Sequence, residues 1–146
     1  MNPETLSSWQ VWAVLSAVFA ALTAIFAKVG VEGIDSDLVT LIRTAIVLIT
    51  LSLILFATGK LSNPGPISPK SWIFLVLSAL GTGASWLCYF RALKLGPATL
   101  VAPIDKLSVV LVALFGVTFL GERPSLQGWI GIALIAVGAV LIAFKG

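Results

Sequence analysis

Five stretches of predominantly apolar sequence, residues 9–27, 38–58, 72–90, 98–120 and 126–144, alternate with short polar or helix-breaking segments. Each stretch is 19 to 23 residues long, the length at which one α-helix crosses a bilayer. The separators carry the breakers: Glu32, Asp35 and Asp37 in residues 28–37, Pro64, Pro66 and Pro69 in residues 59–71, Gly96 and Pro97 in residues 91–97, and Gly121 and Pro124 in residues 121–125. Trp9, Trp12, Trp72 and Trp129 stand near the starts of their stretches, where an indole buries its ring and keeps its N–H at the headgroups. The pattern predicts an all-α membrane protein with five transmembrane helices in a single transmembrane domain over residues 1–146.

Composition narrows the classes further. Of the 146 residues, 59% are hydrophobic and 10% charged, against about 25% charged in a soluble domain. That excludes an ordinary cytosolic domain and leaves no room for an extramembrane one. There is no histidine and one cysteine, Cys88, so a histidine base, a His-based zinc site, a cysteine cluster and a disulfide framework are excluded. No cofactor or metal is expected. A net charge of +3 from scattered basic residues reads as loop charge beside lipid headgroups and not as a nucleic-acid footprint. Residues 1–8 contain Glu4 and no Lys or Arg, so they lack the basic start of a secretory signal, and the first run is expected to stay as a span.

Five spans put the two termini on opposite sides. Lys60, Lys70 and Arg123 fall toward one side, and Lys28, Arg43, Arg91, Lys94, Lys106 and Lys145 toward the other. The positive-inside rule then favours the N-terminus outside and the C-terminus inside the cell membrane, with a bias small enough to allow insertion in both orientations.

Residues three, four and seven apart share a helix face. The first span carries a small, weakly polar stripe at Ala13, Ser16, Ala20, Thr23 and Ala27, and the second carries Thr40, Arg43, Val47 and Thr50. The third carries Ser78, Thr82, Ser85 and Tyr89, and the fourth Asp105, Ser108, Val112 and Gly116. Small and hydroxyl residues also serve close helix packing, but four such stripes in succession point to a shared polar interior. The fifth span instead gathers Gly128, Gly131, Gly138 and Ala139 on a narrow arc, which reads as a packing or dimerisation face.

Three charges lie inside spans: Arg43, Asp105 and Lys106. In the fourth span thirteen Leu, Ile, Val and Phe residues return roughly −4 to −8 kcal/mol on the insertion scale, against about +5 to +7 for Asp105 and Lys106 together. That helix alone is marginal and needs neighbours or water for its charges. Arg43 and Asp105 each lie about 9 to 11 Å into their helices from the same side, so an ion pair between them is geometrically open. The bland alternative is snorkelling of the two cations, with Asp105 paired to either for assembly. Pro103 leaves the Thr99 carbonyl without its usual donor, so a bend is expected just before Asp105. A broken helix beside a carboxylate is a common transporter binding device. Gly81 and Gly83 permit flexing or close approach at the middle of the third span.

The run Ala92-Leu93-Lys94-Leu95-Gly96-Pro97-Ala98, continuing through Val101-Ala102-Pro103 to Phe119-Leu120-Gly121-Glu122, resembles the half-repeat of EamA-like transporters in the drug/metabolite transporter superfamily. Gly128-Trp129-Ile130-Gly131 through Gly138-Ala139-Val140-Leu141-Ile142 closes that pattern, and Arg43 matches the arginine common in the second span. The resemblance covers essentially the whole chain. It implies one five-helix repeat, half of a ten-helix inverted-repeat transporter, working as a homodimer that is plausibly antiparallel.

The leading function is a secondary transporter, exporting a small metabolite or drug-like solute by alternating access across the inner membrane. No G-x-x-x-x-G-K-[ST] loop occurs, so uphill transport would draw on a gradient. Asp105 would bind a cation or proton, with Lys106 beside it, and Arg43 would be its partner or an anion-binding group. Trp86 and Tyr89 would supply an aromatic wall, interfacial anchoring being the alternative. The second function is a non-transporting membrane subunit or half of a lipid-carrier flippase. An intramembrane enzyme fits worst, because Cys88 has no evident base and Asp105 no second acid nearby in sequence.

Overall fold

The computed structural model describes residues 9–61 and 65–145. Its helices are α1 (Trp9–Gly30), α2 (Ser36–Ala57), α3 (Pro69–Leu95), α4 (Ala98–Asp105), α5 (Ser108–Phe119) and α6 (Leu126–Lys145). α4 and α5 are the two halves of one apolar run, so five segments among the described residues are long and apolar enough to cross a membrane. The protein is all-helical, with the architecture of one five-helix repeat. The readings placed on residues 1–8 and on Pro64 lie outside the described residues.

Local chemistry explains where the helices begin and end. Gly33 takes a left-handed φ of +72° in the turn after α1, a conformation that costs glycine nothing. Asp35 then caps α2, its carboxylate accepting from the N–H groups of Asp37 at 3.0 Å and Leu38 at 3.1 Å. At the other end Gly59 has φ +69°, the Lys60 N–H donates to the Leu55 carbonyl at 3.0 Å and the Gly59 N–H to Phe56 at 3.1 Å. That is a Schellman stop.

α3 starts at Pro69 and not at residue 72, because the Ser68 hydroxyl accepts the Ser71 N–H at 3.1 Å and a proline in the first turn needs no donor. It also runs on to Leu95, which puts Arg91 and Lys94 on a helix and not in a loop.

The fourth run is interrupted after Asp105, not before it. Pro103 brings no N–H, and the next turn tightens. The N–H groups of Lys106 and Leu107 donate to Pro103 and Ile104 at 3.1 and 3.0 Å, and those of Val109 and Val110 donate to Lys106 and Leu107 at 3.0 and 3.1 Å. These are i to i−3 bonds, so the chain passes through a 3₁₀-like turn between α4 and α5.

The chain divides into two compact units, one of Met1–Phe26 with Gly96–Gly146 and one of Ala27–Leu95. The second unit is built on α2 packed against α3, and Val31, Phe90 and Leu93 are its fully buried side chains. In the first unit α6 packs on both α4 and α5, with Gly116 and Ala139 buried. Elsewhere the helices present large apolar side chains outward, such as Phe19, Leu41, Ile73 and Leu134, the surface that lipid accepts and water does not.

Candidate functional site

Arg43 sits two turns into α2, and two rings of α3 hold it. Its Cζ lies 4.3 Å from the centroid of the Trp86 ring and 5.4 Å from that of Phe90. Trp86 and Phe90 are one helical turn apart and so share a face of α3, while Tyr89 meets Phe90 edge-on at 6.3 Å. The side chain is half-buried, and its Nη1 is fully shielded with no hydrogen-bond partner among the described residues. Aromatic faces stabilise the positive charge, but they leave the in-plane N–H donors unmet.

The remaining members of the α3 stripe, Ser78, Thr82 and Ser85, are exposed. The Thr82 hydroxyl donates to the Ser78 carbonyl at 2.9 Å. On α2, Thr40 donates to Ser36, Thr44 to Thr40 and Thr50 to Ile46, at 2.8, 2.7 and 2.8 Å. Hydroxyls that bond back to their own helix need no polar surroundings. A threonine stripe is therefore weaker evidence for a polar path than its sequence pattern implies.

Asp105 closes α4, and Lys106 follows it in the tight turn. Lys106 Nζ donates to Asp105 Oδ2 at 3.0 Å, with the lysine side chain 56% and the carboxylate 35% exposed. On a continuous helix adjacent residues point about 100° apart; the interruption lets these two turn toward each other. Lys106 also stands at the C-terminal, negative end of the α4 dipole. Ser108 opens α5 and is exposed. The arrangement is a half-exposed ion pair at a helix break.

At the loop end of the second unit lies a polar cluster that reading by spans assigns only to loops. Arg91 grips Asp37 with two bonds, Nε to Oδ1 at 3.0 Å and Nη2 to Oδ2 at 2.6 Å. Lys94 donates to the Ile34 carbonyl at 2.9 Å and Lys28 to the Leu93 carbonyl at 2.7 Å. Together they latch the α1–α2 turn to the end of α3. Helical extension of α3 past the apolar run is the signal that would have found Arg91 and Lys94; their partners, more than fifty residues away in sequence, have none.

On α6 the glycines divide. Gly128 has Pro124 and Ser125 within 3.6 Å of where a Cβ would stand, whereas a Cβ on Gly131 or Gly138 meets nothing within 4 Å. Ala139 is buried, so it belongs to packing inside the chain. At the α5 end a Cβ on Gly116 would lie 2.7 Å from Glu122 Oε2. The Glu122 N–H also donates to the Gly116 carbonyl at 3.0 Å, and Gly121 between them has φ +68°. The Gly-Glu pair of the family-like motif thus folds back over the helix end.

The model of the EamA-like transporter family matches residues 7–144, and the chain belongs to that family. It is 61% identical over 136 residues to the uncharacterized transporter in the cobO 3' region of Sinorhizobium sp., covering 93% of this chain and 96% of that one. It is 28% identical over 140 residues to the uncharacterized transporter YxxF of Bacillus subtilis (strain 168), covering 94% of this chain but 43% of YxxF. Over 73 residues it is 32% identical to the "Probable 4-amino-4-deoxy-L-arabinose-phosphoundecaprenol flippase subunit ArnE" of Yersinia pestis (strain Pestoides F), covering 50% of this chain and 62% of that one. No solved structure gives a significant match.

Proposed function

We propose that this multi-pass member of the EamA-like transporter family is a secondary transporter of a small metabolite or drug-like solute. It works as a homodimer by alternating access, in the exporting direction. The observation that carries the reading is the length relation within the family: a chain that fills 96% of one relative fills 43% of another. Two copies of this repeat would make up the larger architecture. The face of α6 at Gly131 and Gly138, open to an added Cβ, offers a surface on which a second copy can approach closely. We place the dimer in the inner membrane, with antiparallel packing supported by the small charge bias of the loops.

Within such a dimer the Asp105–Lys106 pair is the coupling element. Its carboxylate is partly accessible and lies at a helix break, where a modest change of backbone can expose or cover it. Arg43 and the α3 face at Ser78, Thr82, Ser85, Trp86 and Tyr89 line the solute path. The experiment is gradient-driven flux in proteoliposomes, with Asp105→Asn beside the native chain. Flux that disappears while the dimer persists supports coupling; flux that persists in Asp105→Asn removes it.

A second reading, half of a lipid-carrier flippase, is favoured by the similarity to ArnE. It predicts transfer of a polyprenyl-phosphate-linked sugar between leaflets and no flux of soluble solutes.

A further inference from the structure

We infer that Arg43 is an anion-binding group and that the transported solute carries a carboxylate or phosphoryl group; the inference rests on the transporter reading and specifies its substrate class. Arg43 stands on α2 about 10 Å from its start at 1.5 Å per residue, within the apolar run. A cation at that depth persists only with a partner. Its surroundings satisfy half of that requirement. Trp86 and Phe90 stabilise the charge from 4.3 and 5.4 Å, yet a ring face takes up charge without accepting in-plane hydrogen bonds.

Two of the acidic side chains in its unit are engaged elsewhere. The Asp37 carboxylate is gripped by Arg91, and the Asp35 carboxylate caps α2. The hydroxyls of Thr40 and Thr44 donate to carbonyls of their own helix, and neither accepts from Nη1. Nη1 is shielded and without a partner among the described residues, while the side chain as a whole is half-buried. The side chain is thus partly accessible while one of its donors is covered and unmet.

A two-oxygen anion matches the guanidinium fork. Its two oxygens can take two of the guanidinium N–H groups, among them the Nη1 that no group among the described residues now accepts from. Paired donors in a plane are what a guanidinium offers to carboxylate and phosphate, and what a lysine in this place would not. Arg43 also rests on the Trp86 ring, so engagement of an anion must alter the environment of that indole. The site therefore contains its own reporter.

The test uses the full chain in detergent micelles and in liposomes. Trp9, Trp12, Trp72 and Trp129 are changed to Phe so that Trp86 alone emits, and thermal stability of the chain with all its tryptophans is followed in parallel. The probes share one hydrocarbon body and differ in charge: cyclohexanecarboxylate, cyclohexanecarboxamide and cyclohexylmethylammonium, with inorganic phosphate as a second anion. We expect saturable changes in Trp86 emission and in thermal stability with the carboxylate. Binding should be about tenfold weaker for the amide and in Arg43→Gln, and intermediate in Arg43→Lys, which keeps the charge and loses the fork.

Preference for the ammonium probe, a carboxylate response unchanged in Arg43→Gln, or no response to either anion overturns the inference. So does a native chain that ignores anions while Arg43→Gln and Arg43→Lys both dissociate the dimer, because the acceptor is then supplied by the second copy. Liposome flux separates this from the transport reading. Anion binding at Arg43 without flux of any probe removes transport and leaves the anion site, whereas ammonium flux that survives Arg43→Gln removes the anion site and leaves transport.

Discussion

The two units meet the problem of a charge within an apolar run in opposite ways. In the unit that holds residues 96–146, Asp105 is neutralised by the next residue in the chain, and the tight turn after Pro103 accompanies that contact. In the unit of residues 27–95, Arg43 receives no counter-charge among the described residues. It depends on two rings from a helix more than forty residues away. A charge closed by its neighbour is self-contained and costs little to assemble. A charge held by aromatic faces depends on the packing of two helices and keeps its hydrogen-bonding capacity for something else.

If that contrast is right, Phe90→Ala should have the largest effect. Phe90 is 1% exposed and is both core and ring partner, so its truncation should destabilise by about 3–5 kcal/mol and weaken any ligand response that involves Arg43. Thermal unfolding in detergent, with and without an anionic probe, measures both. A stable Phe90→Ala chain would mean that the aromatic contacts are incidental.

Asp105→Asn should come next. It leaves Lys106 without its carboxylate in an apolar run, at a cost of about 1–3 kcal/mol, reduced by the exposure of the pair. Adding Lys106→Gln should restore stability, because the pair is self-contained, whereas adding Arg43→Gln should not. Restoration by Arg43→Gln would break the comparison, since it would join Asp105 to a charge of the other unit.

Gly131→Leu and Gly138→Leu should leave the chain folded and weaken a dimer, because a Cβ there meets nothing within 4 Å. Ala139→Leu, at a position buried inside the unit, should instead overpack it and cost about 1–3 kcal/mol. Sedimentation in mild detergent with thermal unfolding separates the two outcomes. A dimer unaffected by either glycine change moves the interface away from α6.

The smallest effects concern the turn after α5. Gly121→Ala forces a side chain into φ +68° and should cost about 1 kcal/mol. Gly116→Ala displaces only the exposed, flexible end of Glu122. The clash is partly offset by the better helix propensity of alanine, worth about 1 kcal/mol, so thermal unfolding should change less than for Gly121→Ala. A larger drop for Gly116→Ala would mean that the Glu122 carboxylate is held in place.

Much of the architecture was legible because bilayer thickness imposes a run length, and five runs of that length are visible without any partner. The family was legible through the order of its glycines and prolines. Pro103 marks a perturbed stretch, but where the hydrogen bonding changes depends on how the following N–H groups re-pair, and the 3₁₀-like turn falls after Asp105. Arg43 and Trp86 were visible as candidates. Phe90 was recoverable from its one-turn spacing to Trp86, whereas the Asp37–Arg91 latch was not, since spacing within a helix says nothing about contacts across fifty residues.

The amino-acid sequence by itself determined the number of spans, the polar and helix-breaking segments that separate them, and the charges that had to lie within apolar runs. These follow from chain-local physics: run length against bilayer thickness, and glycine and proline as helix breakers. Only the tertiary structure decided what Arg43 meets. Asp105 meets Lys106 because a tight turn brings neighbours together, and Arg43 lies against Trp86 and Phe90 because α2 packs on α3. A contact between neighbours in the chain follows from the local turn, whereas a contact across two helices depends on distances between their faces, and those exist only once the helices have packed.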